Sequence, residues 1–381
     1  MRIALFSEVY WPMVSGVGVT LLRLTEELEA RGHTVRVYSA AYTLPDSGDR
    51  PEVHRSNGVP LFLYPEVHWA FPRQKEIVAD LAAFRPDIVH VATEFALGLA
   101  GIKAAQQLDL PLVASAHTDY QKYAARYGVE WALQVGWIYL RWFYGHASKV
   151  LCPSRVYERF LHSRGVDHTG LWTRGVDPAV FHPRFRSEEY RRSFGLGPED
   201  LLVTYIGRIA KEKDLDRMVK AWVALGERRG NAQLVLVGQG PLAEELQRHQ
   251  IPCLHLTGLK QGRELSEAYA SADIFTFPSP TETFGNSLLE AMASGLPSHA
   301  VDAGGVLDYV RHEQNALVSP ARDIEGMHDA LGRLLEDAAL RRRLAQGGLR
   351  TAAARDWESI YDALVHDYRS IAEEHEAAAA A

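Results

Sequence analysis

Two glutamates eight residues apart, Glu282 and Glu290, frame the most specific chemistry in the sequence. They bound the stretch Pro280-Thr281-Glu282-Thr283-Phe284-Gly285-Asn286-Ser287-Leu288-Leu289-Glu290, which follows an apolar run, Ile274–Phe277, and the turn Pro278-Ser279-Pro280. The small and amide residues between them let backbone N–H groups approach a ligand. One carboxylate in a loop and one a turn or two inside the following helix suit a ligand with hydroxyls at both ends and phosphate between them: sugar, diphosphate, ribose. As a general acid and base the pair would read as a glycosidase. As carboxylates near a helix N-terminus they would simply complement the dipole.

A second constellation, Gly207-Arg208-Ile209-Ala210-Lys211-Glu212-Lys213-Asp214, leaves the strand Leu201–Ile206. It sets Arg208 and Lys213 in a loop beyond a strand's carboxyl end. A leaving diphosphate needs fixed positive charge where its own charge develops, and an Arg fork with a Lys point charge supplies it; the plainer alternative is a solvated charged loop. Asp214-Leu215-Asp216 has the spelling of an Asp-x-Asp metal motif. Residues two apart on a helix diverge, so these read as cap and surface, and no metal is expected. A third, Ser15-Gly16-Val17-Gly18-Val19-Thr20-Leu21, follows the first strand and opens a helix. A dinucleotide fingerprint fails there twice: Leu21 stands where a third glycine belongs, and the second strand ends Tyr38-Ser39-Ala40 without an acid. What remains is either a plain tight turn or backbone N–H groups and a helix dipole able to hold a diphosphate. Gly18 has no reading from sequence alone.

These loops need elements to hold them. Ile3–Ser7, Val35–Ser39, Ile88–Val91, Leu112–Ala116 and Val150–Cys152 read as short apolar strands, with helical periodicity over Val19–Ala30 and helix-like stretches between the others. Continuous apolar strands separated by helices imply a parallel sheet covered on both faces. The pattern restarts with Leu201–Ile206, a helix from about Asp214, and the strands Leu234–Val237 and Ile274–Phe277. Between the two runs lies the Pro- and Arg-rich passage Gly175–Pro198. The expected fold class is therefore α/β, with two Rossmann-like units and a ligand cleft between them: residues 1–178 form one, residues 179–356 the other. Asp356–Glu376 reads as a closing helix with Trp357, Ile360, Tyr361, Leu364 and Tyr368 on one stripe, and Ala377–Ala381 as a frayed end.

Composition excludes several classes. At 381 residues, 47% hydrophobic and 23% charged, the chain is ordinary for a globular protein. Its net charge of −7 argues against binding nucleic acid through overall charge. Two cysteines, Cys152 and Cys253, allow neither a disulfide framework nor a four-ligand zinc site and fit a reducing cytoplasm. The opening residues are too short an apolar run for a signal peptide, and no run reaches the ~18 residues of a membrane span. The charge is uneven, however. Residues 1–177 carry 18 basic and 18 acidic side chains, and 178–381 carry 23 and 30. Within the neutral half, Gln121–Arg174 holds eight basic and three acidic residues among many aromatics. That mixture fits either contact with anionic lipid headgroups or a buried aromatic helix with a solvated edge.

Glu282-x7-Glu290, Gly207-Arg208…Lys213, Arg174-Gly175-Val176-Asp177…Phe181-His182-Pro183 and Ser15-Gly16-Val17, in this order along essentially the whole chain, resemble the retaining glycosyltransferases of family GT4, which have the GT-B fold. His117-Thr118-Asp119-Tyr120, followed by Tyr123 and Arg126-Tyr127-Gly128, is similar to the GDP-mannose-dependent α-mannosyltransferases, and also to sulfoquinovosyl- and glucosyl-diacylglycerol synthases. The resemblance implies a nucleotide-sugar donor and a hydroxyl acceptor, with mannose from GDP-mannose passing to a membrane glycolipid, or a UDP-sugar serving a diacylglycerol-type lipid. It implies that Gly16 and Val17 close on the diphosphate while Arg208 and Lys213 neutralise it. Glu282 would hold sugar hydroxyls beside the N–H groups of Phe284, Gly285, Asn286 and Ser287. Glu290 would take the ribose, and Gly258 and Leu259 would line the base. His117 would face the sugar, with Asp119 and Tyr120 at the acceptor. It further implies that the last helix, 357–376, crosses back to the first domain, and that the enzyme works in the cytoplasm at the inner face of the membrane. A nucleotide-sugar epimerase on the same fold is the more distant alternative. One departure stands out: Ser298-His299 occupies a strand that relatives usually build from apolar residues.

Overall fold

The computed structural model describes residues 1–13, 15–42, 52–61, 64–119 and 133–380. They divide into two compact units: Met1–Thr118, Trp131–Thr173 and Glu358–Ala381 belong to the first, and Arg174–Trp357 makes up nearly all of the second.

The first unit is built on a seven-stranded parallel sheet. Its strands are β1 (Arg2–Ser7), β2 (Thr34–Ala40), β3 (Val53–Ser56), β6 (Ile88–Val91), β7 (Leu112–Ser115), β8 (Lys149–Cys152) and β9 (Thr169–Leu171), in the order β3-β2-β1-β6-β7-β8-β9. A separate antiparallel hairpin, β4 (Gly58–Leu61) and β5 (Tyr64–Ala70), follows β3. The second unit carries a six-stranded parallel sheet of β10 (Leu202–Ile206), β11 (Gln233–Val237), β12 (Leu254–Leu256), β13 (Ile274–Phe277), β14 (Ser298–Val301) and β15 (Leu317–Ser319), ordered β12-β11-β10-β13-β14-β15. These are the two doubly wound α/β sheets that the repeated strand–helix pattern requires. In each, the strand order reverses once, between β1 and β6 and between β10 and β13. Loops diverge at such a reversal and leave a crevice at the strands' carboxyl ends.

Burial on both faces explains the continuous apolar strands. Alternate side chains of one strand enter different cores: Leu202, Ile206, Val235 and Phe275 pack with Leu288, Leu289 and Met292 on one side, while Val203, Tyr205, Leu234 and Ile274 pack with Leu215, Met218 and Trp222 on the other. His299 sits in this interior, fully buried, its ring between Thr276 Oγ1 at 3.1 Å and Ser319 Oγ at 2.8 Å. Burial pulls its pKa down to about 4, so the ring is neutral at neutral pH. Two hydroxyl partners, able to donate or accept, let a polar residue occupy an apolar strand.

The structure corrects three local expectations. The first helix begins at Gly16, not Val19. Asp214 stands at the N-cap of Leu215–Ala224, but in a left-handed conformation its carboxylate does not cap; Oδ1 accepts from Arg217 at 2.7 Å instead. Asp216 is exposed, as read. The closing helix runs Trp357–Ala380, so Ala377–Ala380 are helical rather than frayed. It buries Tyr361, Leu364, Val365, Tyr368 and Ile371 within the first unit, and Asp367 receives Lys149 Nζ at 2.8 Å.

The basic aromatic stretch has two faces where it is described; Tyr123, Tyr127 and Trp131 lie outside the described residues. The helix Leu133–Tyr144 buries Trp137, Leu140, Phe143 and Tyr144 and leaves Val135, Ile138 and Trp142 exposed by 69%, 61% and 51%. Among the described residues, no helix is long and apolar enough to cross a membrane.

Within the second unit, one buried ion pair ties the segment that precedes β10 to the sheet. Arg191, almost wholly buried, pairs with Asp273 and donates to Ser271 O at 3.0 Å and Asp200 O at 2.6 Å. Asp273 also accepts from the Leu202 N–H at 2.8 Å. Arg186 Nη2 also reaches Asp273 Oδ1 at 3.0 Å, so removing Arg191 costs that carboxylate one of two guanidinium partners and leaves the Ser271 and Asp200 carbonyls without their buried donor. Arg191→Met is expected to destabilise the second unit by about 3 kcal/mol, read as an earlier urea transition; an unchanged midpoint would refute that role.

Candidate functional site

The candidate residues of the second unit all leave the carboxyl-end rim of its sheet. Beyond β10, the Gly207 N–H donates to Val237 O at 3.0 Å and the Ile209 N–H to Gln239 O at 2.8 Å, stitching this loop to the one after β11. The approach is so close that a Cβ on Gly238 would lie 1.9 Å from Gly207 O. Arg208 is half-buried, and its carbonyl accepts from the Tyr205 hydroxyl at 2.9 Å. Lys213 ends a short 3-10 turn, Lys211–Lys213, and its Nζ donates to Glu282 Oε1. The β10 and β13 loops, read separately in the sequence, therefore meet as an ion pair.

Glu282 is held from both sides. Its carbonyl accepts from the Gly305 N–H at 2.8 Å, and Thr281 Oγ1 donates to Glu212 O at 3.2 Å. Phe284 is buried against Tyr309, whose hydroxyl donates to Gly285 O at 2.7 Å. Gly285 caps the helix Asn286–Ala293 at φ +93°, a left-handed conformation that favours glycine. This cap contributes no side-chain hydrogen bond. The first N–H groups of a helix have no intrahelical acceptor, so those of Asn286 and Ser287 present a positive end suited to an anion. Glu290, one turn inside, accepts from the Tyr269 hydroxyl at 2.7 Å, and burial lifts its pKa to about 6. Past β12, Gly258 O accepts from the Gly238 N–H at 2.9 Å and Leu259 is exposed. Two cations, an open helix N-terminus and two carboxylates on one rim can hold a phosphate group flanked by hydroxyls.

The remaining candidates belong elsewhere. Gly16 and Val17 begin the helix Gly16–Ala30, whose cap Ser15 accepts from the Gly18 N–H at 3.0 Å. Gly18 now has its reason: a Cβ there would meet Met13 O at 2.6 Å. A Cβ on Gly16 would meet open space. His117 follows β7 with Nε2 2.8 Å from Ser115 Oγ and its ring edge-on to Trp172. Asp119 is buried and groups with the second unit; Tyr120 lies outside the described residues. Among the described residues, no three His, Cys, Asp or Glu side chains gather as a metal set.

Sequence reasoning missed the supports. Tyr269 and Tyr309 drew no reading from the sequence, and nothing in their spacing announces a hydroxyl bonded to the site. Glu8 also went unread, although a carboxylate directly after an apolar strand was a usable signal. It is fully buried, accepts from the Leu97 N–H at 2.5 Å and from Thr93 Oγ1, and burial lifts its pKa to about 7. It thereby ties the loop after β1 to the first turn of the helix Ala96–Leu108.

The chain matches the family described as Glycosyltransferase Family 4 over residues 14–180 and the one described as Glycosyl transferases group 1 over 186–351. It is 33% identical to a GDP-mannose-dependent alpha-mannosyltransferase of Mycobacterium tuberculosis across 97% of both chains. It is also 33% identical to the sulfoquinovosyl transferase SQD2 of Arabidopsis thaliana, over 94% of this chain and 71% of that protein. An alpha-monoglucosyldiacylglycerol synthase of Streptococcus pneumoniae is 28% identical over 88% of this chain and 78% of its own. In fold, the chain is similar to a sucrose-phosphate synthase from Thermosynechococcus elongatus, with a TM-score of 0.80 and 23% identity over 97% and 98% of the two chains.

The Tyr269–Glu290 bond yields a pH-dependent prediction. The tyrosine hydroxyl favours the ionised carboxylate, so its loss raises the Glu290 pKa further above 6. A carboxyl whose folded pKa is raised favours folding when protonated, and that contribution is lost as pH rises from the unfolded value through the folded one. Tyr269→Phe should therefore destabilise the second unit more at pH 7 than at pH 5, measured by urea unfolding. An equal loss at both pH values would mean that only packing was disturbed.

Proposed function

Since the chain belongs to glycosyltransferase family 4, we propose that it moves mannose from GDP-mannose, with retention, onto the hydroxyl of a membrane glycolipid. The Lys213–Glu282 pair carries this reading, because it joins the cation a diphosphate needs to the carboxylate a sugar needs. In the proposed complex the diphosphate takes Lys213 and Arg208, and Glu282 is released to accept from donor-sugar hydroxyls. The N–H groups from Phe284 to Ser287 serve the sugar and phosphate. Glu290 accepts from the ribose, Gly258 and Leu259 border the base, and Gly16 and Val17 bind the diphosphate. His117 faces the sugar; Asp119 and Tyr120 stand at the acceptor.

Retention follows from front-face substitution. The bond between the anomeric carbon and the phosphate oxygen breaks, and the acceptor oxygen bonds to that carbon on the same face. The acceptor proton passes to the leaving phosphate. The largest contribution of the protein is then stabilisation of charge growing on the diphosphate. No metal is invoked.

Two observations support a lipid-linked acceptor met at a membrane surface: the similarity to an alpha-monoglucosyldiacylglycerol synthase, and the exposed Val135, Ile138 and Trp142 within the basic stretch 121–174. Amphipathic faces of this kind suit the headgroup region. The 33% identity to a sulfoquinovosyl transferase favours a second reading, a UDP-sugar donor and a diacylglycerol-type acceptor.

A thermal-shift panel of GDP, UDP, ADP and dTDP separates the two. GDP is expected to stabilise the protein most, and a shift by UDP alone would replace mannose with the second reading. Incubation with the donor sugar alone should leave it unchanged, whereas an epimerised donor would mean a different enzyme. Arg208→Ala and Lys213→Ala are each expected to lower kcat by about 10²-fold; wild-type turnover in either would remove that residue from the diphosphate site.

A further inference from the structure

A buried chain of hydrogen bonds runs from His117 to the closing helix. His117 Nε2 lies 2.8 Å from Ser115 Oγ on β7. The same oxygen lies 2.7 Å from His90 Nε2 on β6, and His90 Nδ1 lies 2.7 Å from the hydroxyl of Tyr368 on Trp357–Ala380. Ser115, His90 and Tyr368 are buried to within 1% of completely. Trp172 presses edge-on against both imidazoles, at 5.8 Å from His90 and 5.6 Å from His117.

Proton counting gives this chain a direction. Ser115 has a single hydroxyl proton between two imidazole nitrogens, so it cannot donate to both, and at least one ring must carry a proton on Nε2. Among the described residues, the Tyr368 hydroxyl has one hydrogen-bond partner, His90 Nδ1. If His90 donated to Tyr368, the buried tyrosine proton would be left without an acceptor there, which is strongly disfavoured. Tyr368 therefore donates to His90 Nδ1, His90 carries its proton on Nε2 and donates to Ser115, and Ser115 donates to His117 Nε2.

We propose that Tyr368, His90 and Ser115 are positioning residues that fix His117 as the neutral imidazole protonated on Nδ1. His117 then presents an N–H donor from its other nitrogen, set in tautomer and ring orientation by a helix more than 240 residues away in sequence. The consequence for catalysis, though not the tautomer itself, rests on the proposed role of His117 at the donor sugar. A donor there suits a sugar hydroxyl or a phosphate oxygen. An imidazolium would need a proton on Nε2 as well and would break the chain at Ser115.

The test is the tautomer in the full-length protein labelled with 15N-histidine, read by long-range 1H–15N correlation. His117→Gln and His90→Gln assign the two rings by loss of signal. His117 should show a protonated Nδ1 and an unprotonated Nε2, with the reverse at His90; a protonated Nε2 at His117 would overturn the proposal. Tyr368→Phe keeps the packing and removes the directing proton, so both rings should spread over two tautomers. Turnover should then fall by about tenfold with donor KM little changed. Ser115→Ala, should Tyr368→Phe not fold, should release His117 while leaving the His90 pattern intact. Spectra unaltered in both variants would reduce the chain to packing. If the wild-type tautomers are as assigned and yet His117→Gln turns over normally, the positioning chain stands and the role of His117 at the sugar falls.

Discussion

The ion pair between Lys213 and Glu282 is the contact on which the candidate site depends, and it exists because β10 and β13 are neighbours. The two residues are 69 positions apart in sequence. They meet because the two strands are adjacent and parallel, so that both loops leave the same edge of the sheet. Each charge is partly withdrawn from water and is compensated there by the other. The pair thus holds two loops in register and stores opposite charges in one place. In the proposed complex an incoming diphosphate would compete for the lysine and so free the carboxylate. A site that binds phosphate beside hydroxyl groups needs those two events coupled.

Around that pair, backbone geometry does as much as side chains. The 282–285 loop has no regular structure of its own, yet it is clamped by Gly305, whose Cβ would lie 1.9 Å from Thr283 O, and by the Tyr309 hydroxyl on Gly285 O. These contacts aim the first turn of Asn286–Ala293 outward with a cap that contributes no side-chain bond. A serine or aspartate cap would strengthen the helix by about 1 kcal/mol, but it would also occupy the N–H groups that an anion could use. Helix stability is given up where a ligand can replace it.

The central strands were legible in the sequence because both-face burial writes a strand as a continuous apolar run, and β6 and β13 were placed to the residue, whereas the short edge strands β3, β9, β12 and β15 went unread. The charged loops were legible because glycine, cations and carboxylates recur at strand ends. What stayed hidden was the partner of each polar group. Nothing local distinguishes Tyr269, which bonds Glu290, from the neighbouring aromatics that fill the core. His299 looked misplaced until Thr276 and Ser319 were found on either side of it. Gly18 was unexplained because its constraint is Met13 O, a backbone atom whose position no spacing rule supplies. Pattern shows where a polar residue sits along an element; only the fold shows what completes it.

That completion follows from the geometry of buried parallel sheets. Strands covered on both faces tolerate polar side chains only if each finds a hydrogen-bond partner, because an unmatched buried donor or acceptor costs about 1–3 kcal/mol. In the first unit, Glu8, His90, Thr93 and Ser115 are all buried within or just past the strands, and each is bonded to another member of the group or to the first turn of Ala96–Leu108. The same holds for Thr276, His299 and Ser319 in the second. In the first unit the group lies directly behind its candidate ligand loop. A loop backed by apolar packing alone could shift by sliding over its core. One backed by directional bonds can move only by breaking them, so the His117 ring and the Glu290 carboxylate, each bonded to a buried hydroxyl, are held in place.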